Sequence, residues 1–432
     1  MKKRRFLLCV CTFVLVLYSS IQAQTPPAYA VKNVTIHNSD GSTIESGTIV
    51  WRNGIIQHIG NNVSIPFDAF TVDGGDSMHV YPGFVDGLAT WGSPARPNVQ
   101  APRDPGNPGY ARAGIEPNRE PSKVIDGNHK DFKAAMQAGF TTAALGLLGE
   151  MLPGQVDIVQ LSESNVNDNL YKNRVAHLSK LTRARRGAYP GTIMGVMARF
   201  RQLMYDAKAL QDHMAYHAAN PNMQAPQRDE VLESLFPILN KEVPLYYVLD
   251  TKEDIEKMMI LKQEFGFDVV IVSGKEAYKK ADVLKANNIP VLVSFDLPDA
   301  PKWYNKKEDE DAKPVNFEEK SYRDRQLEEY KNRVSNAKTL IDAGVKVGFA
   351  SNGTSLKDLK KSVEAMMKES GISETELIYI MTQNTAEILG VGSAMGSLEQ
   401  GKAANFALYT KPILDKKTKV THSVANGIIY DF

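Results

Sequence analysis

The chain has 432 residues, 43% of them hydrophobic and 23% charged, with 51 Lys and Arg against 50 Asp and Glu. That length and mix exclude a single small domain, a disordered chain and a collagen-like or coiled-coil one. The net charge of +1 argues against a nucleic-acid-binding domain, and a chain this long buries roughly three quarters of its unfolded surface without needing a disulfide or metal staple.

The first predicted element is an export signal spanning residues 1–23. Lys2, Lys3, Arg4 and Arg5 form a basic start, Phe6 to Tyr18 is an apolar run, and Ala23 offers a small residue for cleavage. The run is shorter than the roughly 20 residues of a membrane span. Cys9 and Cys11 lie inside it, too early for a lipid-attachment cysteine. Cleavage after Ala23 removes four cations, taking the net charge from +1 to −3, and removes both cysteines. The expectation is an exported protein, periplasmic or extracellular, with no disulfide and no integral membrane segment after signal cleavage.

Residues 24–80 read as short strands and turns. Ala30 to His37 and Gly47 to Trp51 are strand-like, and Arg52-Asn53-Gly54 is a hairpin signal leading into Ile55 to Ile59. From 81 to 391 apolar runs alternate with amphipathic stretches, the pattern of a parallel sheet with crossover helices. The runs begin at Gly139, Val243, Asp268, Ile289 and Val345. Helices are expected over Asp254 to Phe265 and Glu276 to Asn287, behind Ser355, and behind the capping box Ser373-Glu374-Thr375-Glu376. Residues 392–432 return to strands, at Phe406 to Tyr409 and Lys419 to Tyr430. The two β-rich ends are expected to pair. Two long loops stand out: 93–122, with seven prolines, and the charge-rich 296–321. Both follow strands, which places them at the carboxyl ends of the strands, where barrel active sites form.

At Val80-Tyr81-Pro82-Gly83-Phe84-Val85-Asp86 the sequence resembles the amidohydrolase superfamily, in particular its imidazolonepropionase-like and dipeptidase-like members. The resemblance continues at Gly139-Phe140-Thr141-Thr142, Met151-Leu152-Pro153-Gly154-Gln155, Thr382-Gln383-Asn384-Thr385-Ala386-Glu387 and Gly396-Ser397-Leu398-Glu399-Gln400-Gly401. It implies an α/β fold: a (β/α)8 TIM-like barrel plus a small β-sandwich formed by the N- and C-terminal segments. It also implies a divalent metal such as zinc, held by His-x-His after the first motif, by a histidine on each of strands five and six, and by an aspartate on strand eight. Such a metal lowers the pKa of bound water to about 7.

This sequence departs from the pattern at all five positions. Leu88 and Thr90 stand for the His-x-His pair, Val248 and Ser273 for the strand-five and strand-six histidines, and Asn352 for the aspartate. An aliphatic side chain has no lone pair for a metal, and an amide cannot take a proton near neutral pH. No histidine occurs between His217 and His422, so no shift of register restores those ligands. His213 and His217 are spaced to chelate on a helix, but Met214-Ala215-Tyr216 lacks the glutamate of a helical zinc-protease motif. No Gly-x-Ser-x-Gly elbow or phosphate loop is present.

No cofactor is therefore expected. Asp86, Glu150, Glu276 and Asn352 could line the mouth, with Asp86 and Asn352 as catalytic candidates and Ser273, Glu276 and Asn352 as substrate-binding ones. Their alternative role is hydrogen bonding of strand ends and loops. Trp91 and Trp303 suit ligand stacking or loop packing. Two functions follow from the resemblance. One is a catalytically degenerate partner or binding subunit of an intact amidohydrolase paralogue, or a homo-oligomer. The other is an active hydrolase of C–N bonds, non-peptide or dipeptide-like amides, using an unconventional site.

Overall fold

The computed structural model describes residues 26–304, 314 and 316–432, so the expected export signal and part of the loop 296–321 lie outside the described residues. Four strands come first: β1 (Ala28–His37), β2 (Thr43–Arg52), β3 (Ile55–Gly60) and β4 (Phe70–Pro82). The β2–β3 hairpin turns on Asn53 and Gly54, both left-handed at φ +52° and +73°. That is the turn an Asn-Gly pair favours, because its twist matches the strands. β4 leads through Gly83 straight into the next sheet. A Cβ on Gly83 would come 2.1 Å from the Thr141 hydroxyl, so the Pro-Gly step permits this close passage.

Eight strands in sequence order then form the barrel: β5 (Phe84–Ala89), β6 (Phe140–Leu145), β7 (Gly154–Gln160), β8 (Leu170–Lys180), β9 (Leu245–Leu249), β10 (Val269–Ser273), β11 (Val291–Val293) and β12 (Val347–Phe349). Neighbours run parallel, except that β7 is antiparallel to both β6 and β8. The Met151-Leu152-Pro153 turn into β7 replaces a crossover helix there. First and last strands meet where the Asn352 N–H donates to the Leu88 carbonyl (2.8 Å).

Side chains alternate across each strand. Ala144, Ile158, Leu178, Tyr246, Val272 and Leu292 join one buried inner cluster with Leu88. The residues between them, such as Leu145, Val159, Tyr247, Ile271 and Val293, pack outward under the helices. The expected helix at 254–265 spans Lys252–Phe265, and both bonds of the Ser373–Glu376 capping box form. The stretch 276–287 is less regular, a 3-10 turn (Ala277–Lys280) followed by a short helix (Ala281–Ala286), with no side-chain cap at its start.

The chain returns to the first sheet as β13 (Phe406–Tyr409), β14 (Val420–Ala425) and β15 (Ile428–Asp431). The strand order is β15-β14-β13-β4-β1-β2-β3, one seven-stranded sheet built from both ends of the chain. It folds over its own core. Trp51 on β2 meets Phe406 on β13 edge to face at 5.3 Å, and the Ala404 N–H donates to the Gly54 carbonyl (2.7 Å). The expected sandwich thus arises from one curled sheet.

Candidate functional site at the barrel mouth

The five positions that would hold a metal come together at the carboxyl ends of the barrel strands, but their chemistry differs from a metal site. Leu88 is fully buried. A Cβ on Gly146 would come 2.8 Å from Leu88 and 3.2 Å from Leu178, so the two leucines fill the space over the end of β6. Val248 belongs to the same apolar cluster. Thr90 lies beside the β12 loop, 3.2 Å from where a Cβ of Gly353 would stand. Asn352 adopts a left-handed φ of +46°.

Ser273 requires a correction of register. Across β9 and β10 the partner of Val248 is Val272, while Ser273 pairs with Leu249. The inward position on β10 is therefore apolar Val272. Ser273 itself is left-handed at φ +76°, and its hydroxyl donates to Asp250 Oδ1 (2.5 Å). Among the described residues no group of three or more His, Cys, Asp or Glu is arranged to hold a metal ion. The residues present do not fit the divalent metal that the resemblance implies: Leu88, Val248 and the inward Val272 are packed aliphatics, and Thr90 and Asn352 offer only a neutral hydroxyl and an amide.

The carboxylate candidates are used inside the fold. Asp86 is wholly buried, and its Oδ1 accepts the N–H groups of Leu88 (3.1 Å) and Ser351 (2.9 Å), joining the first barrel strand to the last. Burial pushes its carboxyl up to about 6, against the pull of those N–H donors. Among the described residues Asp86 Oδ2 and the Ser351 hydroxyl find no hydrogen-bond partner. Because the folded pKa lies above the ordinary value, the protonated form stabilises the fold at low pH, and that stability is lost as pH rises through about 6. Asp86→Asn keeps the Oδ1 acceptor and removes the buried charge. It is expected to gain about 2–3 kcal/mol on the parent between pH 4 and pH 7.5, read from urea midpoints at the two pH values. An unchanged difference between parent and variant across that range would contradict this reading.

Glu276 does not face the mouth. Its carboxylate accepts the Lys252 N–H (3.1 Å) and the Lys279 ammonium (2.7 Å), tying two helix starts together. Glu150 is buried against Arg96, with Arg185 at 3.8 Å. Trp91 packs edge-on against Phe132 and Phe140, and Trp303 donates to Gln326 (3.0 Å). The histidines stand apart from the mouth interior. His37 and His79 are 3.0 Å apart in the terminal sheet, and His213 and His217 ride on the helix Ile193–Ala219. His177 alternates with the inward Ala176 and Leu178 and so points outward from β8.

One residue of the mouth escapes the sequence reading. Ala176 and Leu178 of β8 face the inner cluster, and Lys180 is the next inward position. In register it stands directly beside Val248. Burial holds its ammonium below the ordinary lysine range, although Glu150 pulls the other way. The proline-rich loop 93–122 is fastened over this side of the mouth. Arg96 pairs with Glu116 (2.6 Å), Arg185 donates to the Pro97 carbonyl (3.0 Å), and the Tyr189 N–H donates to the Pro105 carbonyl (2.7 Å). A strand whose last inward residue is a lysine was the available signal. The polar first half of β8 (Tyr171 to Arg174) hid it.

The amidohydrolase family model matches residues 321–430. No curated protein matches the sequence. Among solved structures, an amidohydrolase from Thermotoga maritima MSB8 superposes with a TM-score of 0.76 at 20% identity, covering 94% of this chain and 100% of that one. A triazine hydrolase variant gives 0.51 at 14% identity, covering 93% and 94%. An adenosine deaminase from Xanthomonas campestris with bound zinc gives 0.50 at 11% identity, covering 94% and 93%. The chain therefore has the amidohydrolase fold, a TIM-type barrel with a β-structure from both termini.

Proposed function

We propose that this amidohydrolase-fold chain is a catalytically degenerate, metal-free member of its superfamily. In this reading it is exported to the periplasm or beyond and acts as the binding or partner subunit of an intact amidohydrolase. The observation that carries it is the packing of Leu88 against Leu178, with Val248 in the same apolar cluster. A bound hydroxide needs a Lewis acid, and aliphatic carbon offers it no ligand. The fold alone does not supply the activity, because activity resides in the site. The basic start and apolar run before Ala23 support export. Among the described residues no helix is long and apolar enough to cross a membrane.

The test is hydrolysis of dipeptides and cyclic amides by the purified chain, with and without added zinc. No turnover above background is expected in either condition. Turnover that a chelator abolishes would overturn the proposal in favour of an active hydrolase. For the partner role, co-expression with an intact homologue that retains His-x-His is expected to give a complex that co-purifies. Separate elution of the two chains would exclude that role.

A further inference from the structure

A cleft of about 580 Å3 lies on the outer flank of the barrel, between the connection from β13 to β14 and the helices Leu359–Ser370 and Glu374–Tyr379. It stands apart from the interior of the mouth, since Phe84 in its wall packs outward from β5. The wall is mostly hydrocarbon, supplied by side chains such as Val363, Leu377, Met381, Ile413 and Leu414. The volume falls within the roughly 300–1,000 Å3 of small-molecule sites. Apolar surface in such a concavity gains by meeting hydrocarbon in place of water. The charged groups in the lining are Lys360, Lys419 and Glu374.

The rim beside this hydrocarbon is basic. Segments 356–361 and 411–419 together carry seven lysines against Asp358 and Asp415. The Lys360 ammonium joins the two segments by donating to the Asp415 carbonyl. Lys361 pairs with Asp299 (2.7 Å) and Lys411 with Asp415 (3.7 Å). Among the described residues the ammonium groups of Lys357, Lys416, Lys417 and Lys419 make no hydrogen bond or ion pair, and all four residues are exposed. Adding Asp299, Glu374 and the terminal carboxylate of Phe432 still leaves seven cations against five anions. Burial raises the Glu374 carboxyl above its ordinary range, which lessens its opposition to an anion.

We propose that this cleft binds a medium-chain fatty acid, with its hydrocarbon along Leu377, Met381 and Ile413 and its carboxylate among the lysines of the rim. The inference does not depend on whether the mouth holds a metal. The shape is concave and the surplus charge positive, so the two halves of an anionic amphiphile each find a complement. Lysine ammonium groups act as point charges, and no arginine lines the cleft to grip the several oxygens of a phosphate, which favours a single carboxylate.

The experiment is calorimetric titration of decanoate, hexanoate and protonated decylamine into the full chain, each below its micelle-forming concentration. Decanoate is expected to bind saturably, at one molecule per chain. Hexanoate is expected to bind at least about tenfold more weakly, because it leaves four methylene groups fewer on the wall. Decylamine is expected to bind at least about threefold more weakly, because its charge has the wrong sign for the rim. Leu414→Asp is expected to weaken decanoate at least about tenfold, and Lys417→Glu with Lys419→Glu at least about threefold. Hydrogen exchange in the parent protein locates the site if Leu414→Asp does not fold. Decanoate is expected to slow exchange in 359–366 and 411–419 and to leave the mouth loop 93–122 unchanged. No saturable decanoate binding, protection elsewhere only, unchanged affinity in both variants, or decylamine binding as tightly as decanoate would overturn the assignment. Binding of the chain to phosphatidylglycerol vesicles without uptake of free decanoate would also overturn it, making this face a membrane contact.

Discussion

Leu88→His, which places an imidazole where the family resemblance expects one, is expected to destabilise the protein by about 4 kcal/mol and to recruit no zinc. Removing a fully buried leucine costs about 2–5 kcal/mol on its own. The imidazole would also be buried among Leu178, Ala144 and Val248, which offer it no hydrogen-bond partner. A second ligand is missing as well, because Thr90 bears a neutral hydroxyl and Val248 none at all. The measurement is chemical denaturation of parent and variant, with zinc content determined on both. A variant as stable as the parent that retains zinc would show that a latent metal site survives beneath the leucine.

Gly139→Ala is expected to be at least as damaging, by about 4 kcal/mol or more, although it lies far from the mouth. Gly139 is left-handed at φ +92°, and a Cβ there would stand 2.0 Å from the Tyr409 hydroxyl. Tyr409 is buried on β13 and stacks edge to face with Tyr81, so it has nowhere to retreat. The substitution therefore combines backbone strain with overpacking at the seam between the terminal sheet and the barrel. Loss of soluble protein or a strongly lowered unfolding midpoint is the expected readout. Tyr409→Phe in the same background is expected to restore part of the loss, because it removes the atom in the way. An unaffected single variant would mean that the seam is looser than the structure shows.

Features that depend on a few adjacent residues could be read from the sequence. The Asn53-Gly54 turn and the Ser373–Glu376 capping box each follow from local sterics or local hydrogen bonds. That Leu88, Thr90 and Val248 are not the ligands the resemblance implies is likewise a matter of residue type more than of geometry. Direction and register could not. The apolar run of β7 looks the same in either orientation, so its antiparallel course emerges only from pairing with β6 and β8. Ser273 lies one residue past the inward position, since a five-residue strand fixes its register only through its neighbour β9. Glu276 resembles a mouth residue because it follows a strand end, yet its carboxylate turns back to cap a helix start. Lys180 lies in a stretch whose exposed first half conceals its alternation. It becomes visible only when the barrel places it beside Val248.

If the mouth of this barrel is closed to metal by its own side chains, the chain should leave zinc behind whenever zinc is offered. Elemental analysis of the chain purified in zinc-supplemented buffer and then dialysed tests this most directly. Substoichiometric zinc is expected, with an unfolding midpoint that a strong chelator leaves unmoved, because nothing in the fold depends on the ion. One zinc per chain that survives dialysis, and whose removal by chelator lowers the midpoint, would contradict it.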